Sequence, residues 1–308
     1  MPELSIHLLG KFCVQHDDQI VDGLEASKVQ ELFCYLLLHR DRPHSRERLS
    51  SLLWGESTTA QSKKYLRQTL WQLQAALDAL DDQASSILLV TPGWLQINPD
   101  THFWLDVAIF EQIFALVQGI PGKELDDERA RSLQGGVHLY RGDLLEGYYQ
   151  DWCLYERERL QQLYLVMLDK LMGYCEARRS YEAGLDYGAR ILSYDRARER
   201  THQQLMRLHY LAGDRAAALR QYERCIAILR EELDVEPARG TVALYEQIRR
   251  DQLDTSSQEP AKPPALAGVV SPPTTDLLML LVQLNGTLIE LQQRLQQDIY
   301  VIQSTLSN

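Results

Sequence analysis

Leucines recur at positions 66, 70, 73, 77 and 80, in steps of four and three, and paint one apolar stripe along a helix predicted from Thr58 to Leu80. The opposite side carries Lys63, Lys64, Arg67, Gln68, Trp71 and Gln72. Ammonium groups neutralise phosphates, while guanidinium and amide groups bond base edges. This face therefore has the chemistry of a helix that lies in a DNA major groove. A merely solvated face would look similar, so the flanking elements have to decide.

Short apolar runs at residues 4–21 (LSIHLLG, KFCVQ and QIV, with a polar turn at His16-Asp17-Asp18) predict strands. Val29 to Leu38 predicts a helix with Leu32, Phe33, Leu36 and Leu37 inward. Ser45 suits the N-cap of a second helix, which runs through Leu49, Leu52 and Leu53 to Trp54 and stops at Gly55. After the leucine-striped helix, ILLVTPGWLQIN is broken by Pro92-Gly93 and predicts a hairpin. Three helices followed by a hairpin is the order of a winged helix-turn-helix, with the third helix as the reader. The hairpin around Thr91, Gly93 and Trp94 would then approach phosphates or the minor groove. Arg46 and Arg48, and more weakly Lys28, are further phosphate candidates unless internal ion pairs consume them.

From Leu105 to Arg250 the pattern is nearly all helical. Residues 179–185 align with residues 213–219 at a spacing of 34, pairing Ala183 with Ala217 and Leu185 with Leu219. A period of about 34 residues is that of tetratricopeptide helix pairs, in which small residues let neighbouring helices approach closely. Pro237 opens a last helix through Leu244, Tyr245 and Ile248. Five of the eleven prolines (260, 263, 264, 272 and 273) then mark a linker. Beyond it, Leu277, Leu281, Leu284, Leu288, Leu291 and Leu295 keep strict 4-3 spacing. A lone helix cannot bury such a seam by itself, so this segment predicts a coiled coil that makes a homodimer or higher homo-oligomer. Docking back on the helical region is the alternative.

The predicted fold is mostly α, in four parts. Residues 1–100 form a winged helix-turn-helix with small β elements, and residues 104–251 a tetratricopeptide-like helical domain. Residues 252–275 are a Pro-rich linker, and residues 276–308 the coiled-coil helix.

Charge at first argues against nucleic acid, because the 308-residue chain carries a net −11. Between Lys28 and Ala75, however, eight Lys or Arg face four acids, a local excess of +4. DNA affinity follows the local footprint. Five scattered cysteines without a CxxC pair predict neither a disulfide framework nor a zinc site, and point to a reducing compartment. With no signal-like start and no apolar run near the roughly 18 residues that span a bilayer, the expectation is a bacterial cytoplasmic protein with no membrane partner.

No catalytic residue, metal site or cofactor is predicted. GxxxxGK[ST], GxSxG and HExxH are absent from the sequence. The eight histidines show no ligand spacing, and His39 and His44 read as solvated residues at a loop. Asp151, Glu156 and Glu158 with Arg157 and Arg159 read as a salt-bridged helix surface. Tyr140, Trp152, Tyr155 and Tyr164 could line a groove for a small ligand in the helical domain, or be core.

These pieces resemble the antibiotic regulatory protein (SARP) family of bacterial transcription activators over about residues 4–250. The resemblance rests on LGKF at 9–12, RERLSSLLWG at 46–55 and LRQTLWQLQAAL at 66–77. It continues in LYRGDLLEG at 139–147, DWCLYERERL at 151–160 and GDRAAALRQYERCIAILREELDVEP at 213–237. It implies a response-regulator-type winged helix joined to a bacterial transcriptional activator domain. It also implies binding to repeated promoter elements in double-stranded DNA and contact with RNA polymerase, partly through the loop from Gly55 to Gln61. The chain departs from the family where relatives carry arginines at the positions of Gln72, Gln74 and Ala75, and a small residue at that of Trp71. The expected function is a sequence-specific DNA-binding regulator, an activator. The alternative is a protein-interaction or signal-sensing adaptor whose winged helix no longer binds DNA.

Overall fold

The structure is a computed structural model that describes residues 4–17, 19–79 and 87–253. The expected linker from residue 254 onward and the leucine seam from Leu277 to Leu295 lie outside the described residues, as does Leu80.

β1 (Leu4–His7), β2 (Cys13–His16) and β3 (Gln19–Ile20) form an antiparallel meander. β7 (Trp104–Leu105) joins β1 in parallel, giving the order β3-β2-β1-β7. α1 (Ser27–Leu38) follows the meander and buries Leu32, Phe33, Leu36 and Leu37 as its periodicity predicts. β4 (His44–Ser45) leads into α2 (Arg46–Leu53), and Ser45 caps that helix by accepting from the Arg48 amide at 3.1 Å. α3 (Thr59–Asp78) follows, then β5 (Leu88–Val90) and β6 (Trp94–Ile97), which form a second sheet in the order β4-β6-β5. The helix-turn-helix and its hairpin wing are thus present.

The helical half comprises α4 (Asp106–Leu116), α5 (Asp127–Leu139), α6 (Asp151–Ala177), α7 (Tyr181–Tyr194), α8 (Glu199–Leu211), α9 (Arg215–Leu233) and α10 (Arg239–Arg249). Two of its helix hairpins are α6–α7 and α8–α9, and α10 follows them. Arg179 and Gly213, 34 residues apart in sequence, both adopt left-handed backbone (φ 59° and 85°) at the corner before α7 and α9. The small residues at the helix contacts differ by one place from the expected pair. Ala183 is exposed and Ala217 half-buried, whereas Gly184 and Ala218 are buried. A Cβ on Gly184 would meet Leu208 Cδ1 at 3.0 Å and Cys175 Cβ at 3.3 Å, so the glycine lets neighbouring helices approach closely here.

One continuous apolar core runs from β1 to α8, across the boundary expected near residue 100. Its centre is Asp106, the first residue of α4. This almost fully buried carboxylate accepts from the Leu8 amide at 2.8 Å, the Leu9 amide at 2.8 Å and the Val107 amide at 2.7 Å. Burial pushes its proton affinity up, and the three amides pull it back. Beside it two of the sequence patterns named above meet: LGKF lies against RGDLLEG. Leu9 bridges Leu144, Gly10 donates to the Asp143 carbonyl at 2.9 Å, and Leu145 donates to the Leu8 carbonyl at 2.9 Å. Arg157 locks the same loop by donating to the carbonyls of Leu144, Leu145 and Tyr148 at 2.8–3.0 Å.

Three expectations need correction here. His44 is buried, its Nε2 is 2.9 Å from the His39 carbonyl, and both imidazoles pack near Tyr35. They sit inside the turn after α1 because that turn packs on α6. Glu156 is buried, and Arg159 links it (2.7 Å) to Glu111 (2.6 Å), which also meets Arg40 (3.3 Å). Glu156 and Arg159 of that supposed surface array therefore belong to a partly buried ion network with Glu111 of α4 and Arg40 just after α1, whereas Asp151 and Glu158 are exposed. Lys28 pairs with Glu31 at 2.7 Å and donates to the Leu53 carbonyl at 2.9 Å, so it serves the fold and not a phosphate.

Asp106→Ala leaves the Leu8 and Leu9 amides buried without partners, which should cost about 2–4 kcal/mol, read as a lower urea midpoint. A second expectation concerns acid. His202 is buried between the Arg196 carbonyl (2.9 Å from Nε2) and the Gln221 amide (2.8 Å from Nδ1), and burial lowers its proton affinity below the ordinary 6.5. The unfolded chain then takes the proton first. Stability is full above about pH 6.5 and is lost as the pH falls below it. Thermal unfolding at descending pH should show this loss, and His202→Gln should flatten it.

Candidate nucleic-acid interface

The turn that presents α3 is built by its own side chains. Thr58 accepts from the Gln61 amide (3.4 Å) while Gln61 Oε1 accepts from the Thr58 amide (3.3 Å), a reciprocal capping box. Ser62 is buried and donates to the Thr58 carbonyl at 3.0 Å, with the Trp54 carbonyl also in reach at 3.1 Å, which ties α3 to the end of α2. Trp54 lies 6.2 Å from the Tyr65 ring and under the Lys28 ammonium. Leu66, Leu70, Leu73 and Leu77 are buried, each worth about 1.5–3 kcal/mol of transfer free energy. That anchoring fixes which side of the helix faces out.

Lys63, Lys64, Arg67, Gln68 and Trp71 are exposed on that side, and Gln72 is half-buried. The first five of these form one surface with Gln72 at its inner edge. Their electrostatics are uneven. Lys63 is held by Glu47 of α2 at 2.6 Å, and the ammonium keeps that carboxyl below its usual range. Lys64, Arg67 and Arg48 make no ion pair among the described residues and remain available to an anion. The Glu47 contact escaped the sequence, because sixteen residues and a turn separate it from Lys63.

The wing tip is a tight turn. Thr91 and Trp94 share a backbone bond of 3.0 Å, and the Thr91 hydroxyl sits 3.2 Å from the Trp94 amide. The Arg46 amide donates to the Gly93 carbonyl at 2.9 Å, so the first turn of α2 and the hairpin are joined. Thr91, Gly93 and Trp94 are exposed, Arg46 is half-buried, and a Cβ on Gly93 would meet nothing within 4 Å. The predicted residues thus gather on two adjoining elements, α3 and the tip with the α2 N-terminus. The loop from Gly55 to Gln61 is exposed except for half-buried Ser57.

The four aromatics considered as a ligand groove are not brought together. Tyr140 stacks on Tyr164 at 4.2 Å inside the helical half, Trp152 packs 5.4 Å from Tyr35 of α1, and Tyr155 faces outward. Among the described residues no helix is long and apolar enough to cross a membrane.

Comparison with known proteins adds the following. Residues 105–249 match the bacterial transcriptional activator domain. The chain is 26% identical over 231 residues to the transcriptional regulatory protein MoaR1 of Mycobacterium tuberculosis, covering 74% of this chain and 73% of that protein. Its fold is similar, with a TM-score of 0.63 at 21% identity, to that of Mycobacterium tuberculosis EmbR solved in complex with a low-affinity phosphopeptide; the match covers 82% of this chain and 66% of that one.

Proposed function

We propose that this chain, whose residues 105–249 match the bacterial transcriptional activator domain, is a SARP-like transcriptional regulator that binds double-stranded DNA in a sequence-specific manner and activates transcription. α3 enters the major groove, Gln68 and Gln72 read base edges, and Lys63, Lys64 and Arg67 set its register on the phosphates. Arg46 and Arg48 at the start of α2, with Thr91 and Gly93 at the wing tip, hold the backbone on either side. The observation that carries this reading is the anchored α3. Its leucines are buried, and its amides face outward on one side with Lys64 and Arg67, which make no ion pair among the described residues.

RNA polymerase meets the regulator at the exposed loop from Gly55 to Gln61. Residues 1–100 and 104–251 act as a reading part and an activator part. The leucine seam from Leu277 to Leu295 joins two copies, which adds the gain of bivalency on a repeated site. One observation favours the adaptor reading instead. Trp71, Tyr149 and Tyr155 are exposed by 69%, 74% and 71%, and large exposed aromatics serve protein interfaces well.

A gel-shift series with fragments of its own promoter region separates the two readings. DNA binding should weaken steeply as salt rises, and Arg67→Ala should lower both the affinity and the salt slope, the latter by about one. Affinity that ignores salt and this change belongs to the adaptor. Truncation after Asp251 should lower the number of copies per sedimenting particle if the seam joins copies, and an unchanged number of copies rejects that role.

A further inference from the structure

The centre of the outward face of α3 is an indole, not a charge. Trp71 is 69% exposed and has no ring or cation partner among the described residues. It lies one turn beyond Arg67 and three residues beyond Gln68, which share its face, while half-buried Gln72 lies further round the helix at the inner edge, on the same side of the indole as Gln68. Among the described residues no aromatic ring or cation contacts this indole, so a polar residue could stand there at little cost to the fold. An apolar plate of this size in water is unfavourable unless a partner covers it.

The partner can be chosen from the chemistry of the duplex. In the major groove only the A·T pair presents both an apolar knob, the C5 methyl of thymine, and the acceptor–donor couple N7/N6 of adenine, which a glutamine amide matches. A G·C pair offers the indole a bare C5–H edge and offers the amides a poorer match. Charge also favours a nucleic acid over a protein: Lys64 and Arg67 on this face and Arg48 on α2 make no ion pair among the described residues, while the Glu47 carboxylate is bonded to Lys63.

We propose that Trp71 is the specificity-determining residue of this face: it covers the thymine methyl while Gln68 and Gln72 bond adenine edges, so the preferred duplex carries A·T pairs under the middle of α3. This inference rests on the DNA reading given above. It also accounts for a reading helix that is poor in arginine, because methyl and amide contacts replace the guanidinium–guanine contacts that arginines would make.

The test uses the full chain. A duplex is selected from a randomised pool and resynthesised with deoxyuridine replacing each thymine in turn, which removes only the methyl. Binding should weaken about fourfold at one or two positions, the worth of a single buried methyl. Trp71→Ala should weaken binding to the thymine duplex and leave thymine and uracil duplexes equal, and circular dichroism would verify that the exposed substitution leaves the fold intact. Equal binding of thymine and uracil duplexes by the unaltered chain, or a thymine preference that survives Trp71→Ala, overturns the inference while the DNA reading stands. Failure to enrich any duplex with salt-dependent affinity overturns both.

Discussion

The grip of Asp106 on the Leu8 and Leu9 amides is the constraint on which the rest of the molecule depends. A carboxylate removed from water is expensive unless donors surround it, and here three backbone amides converge on it. Those donors belong to the residues that directly follow β1 and to the first turn of α4, so satisfying one charge ties the end of the first strand to the helical half. The neighbouring backbone exchange between Gly10 and Asp143, and between Leu145 and Leu8, extends the joint. Leu145 is fully buried with a left-handed φ of 49°, a conformation that Arg157 holds by bonding the carbonyls around it. The cost of that backbone is offset by a core that continues across the joint without a break.

Electrostatics are divided between the inside and the outside of this arrangement. Inside, Arg40, Glu111, Arg159 and Glu156 alternate in sign, and Lys28 pairs with a Glu31 that the Trp152 indole approaches at 3.4 Å. These pairs spend cations on the fold. Outside, Lys64, Arg67 and Arg48 are left over, and they are the charges that give the proposed DNA face its sign although the whole chain carries −11. The net charge of the molecule therefore says little about this surface.

Periodicity made much of this legible. The leucine stripe, the Ser45 cap and the Pro92-Gly93 hairpin each follow local rules, and each is present. The outward set from Lys63 to Gln72 was legible for the same reason, because a buried stripe dictates the opposite side. What could not be read were contacts across long separations. Asp106 reaches back 98 residues to Leu8, Glu31 meets Trp152 121 residues on, and His44 is buried by a turn whose packing has no local signal. The 34-residue spacing of the repeat is present, but the small pair that meets a neighbouring helix lies one place further on, for a related reason. Ala183 and Ala217 are the matching letters, but Gly184 and Ala218 are the positions that face a neighbouring helix.

The continuous joint has a mechanical consequence. A hinge needs a neck where few bonds cross, and between β1 and α4 there is a seam of amides, carbonyls and close-packed leucines instead. A stimulus received on the tetratricopeptide-like stack cannot swivel α3 about that seam without tearing the shared interior. It reaches α3 by displacing the entire body or by masking one of its faces.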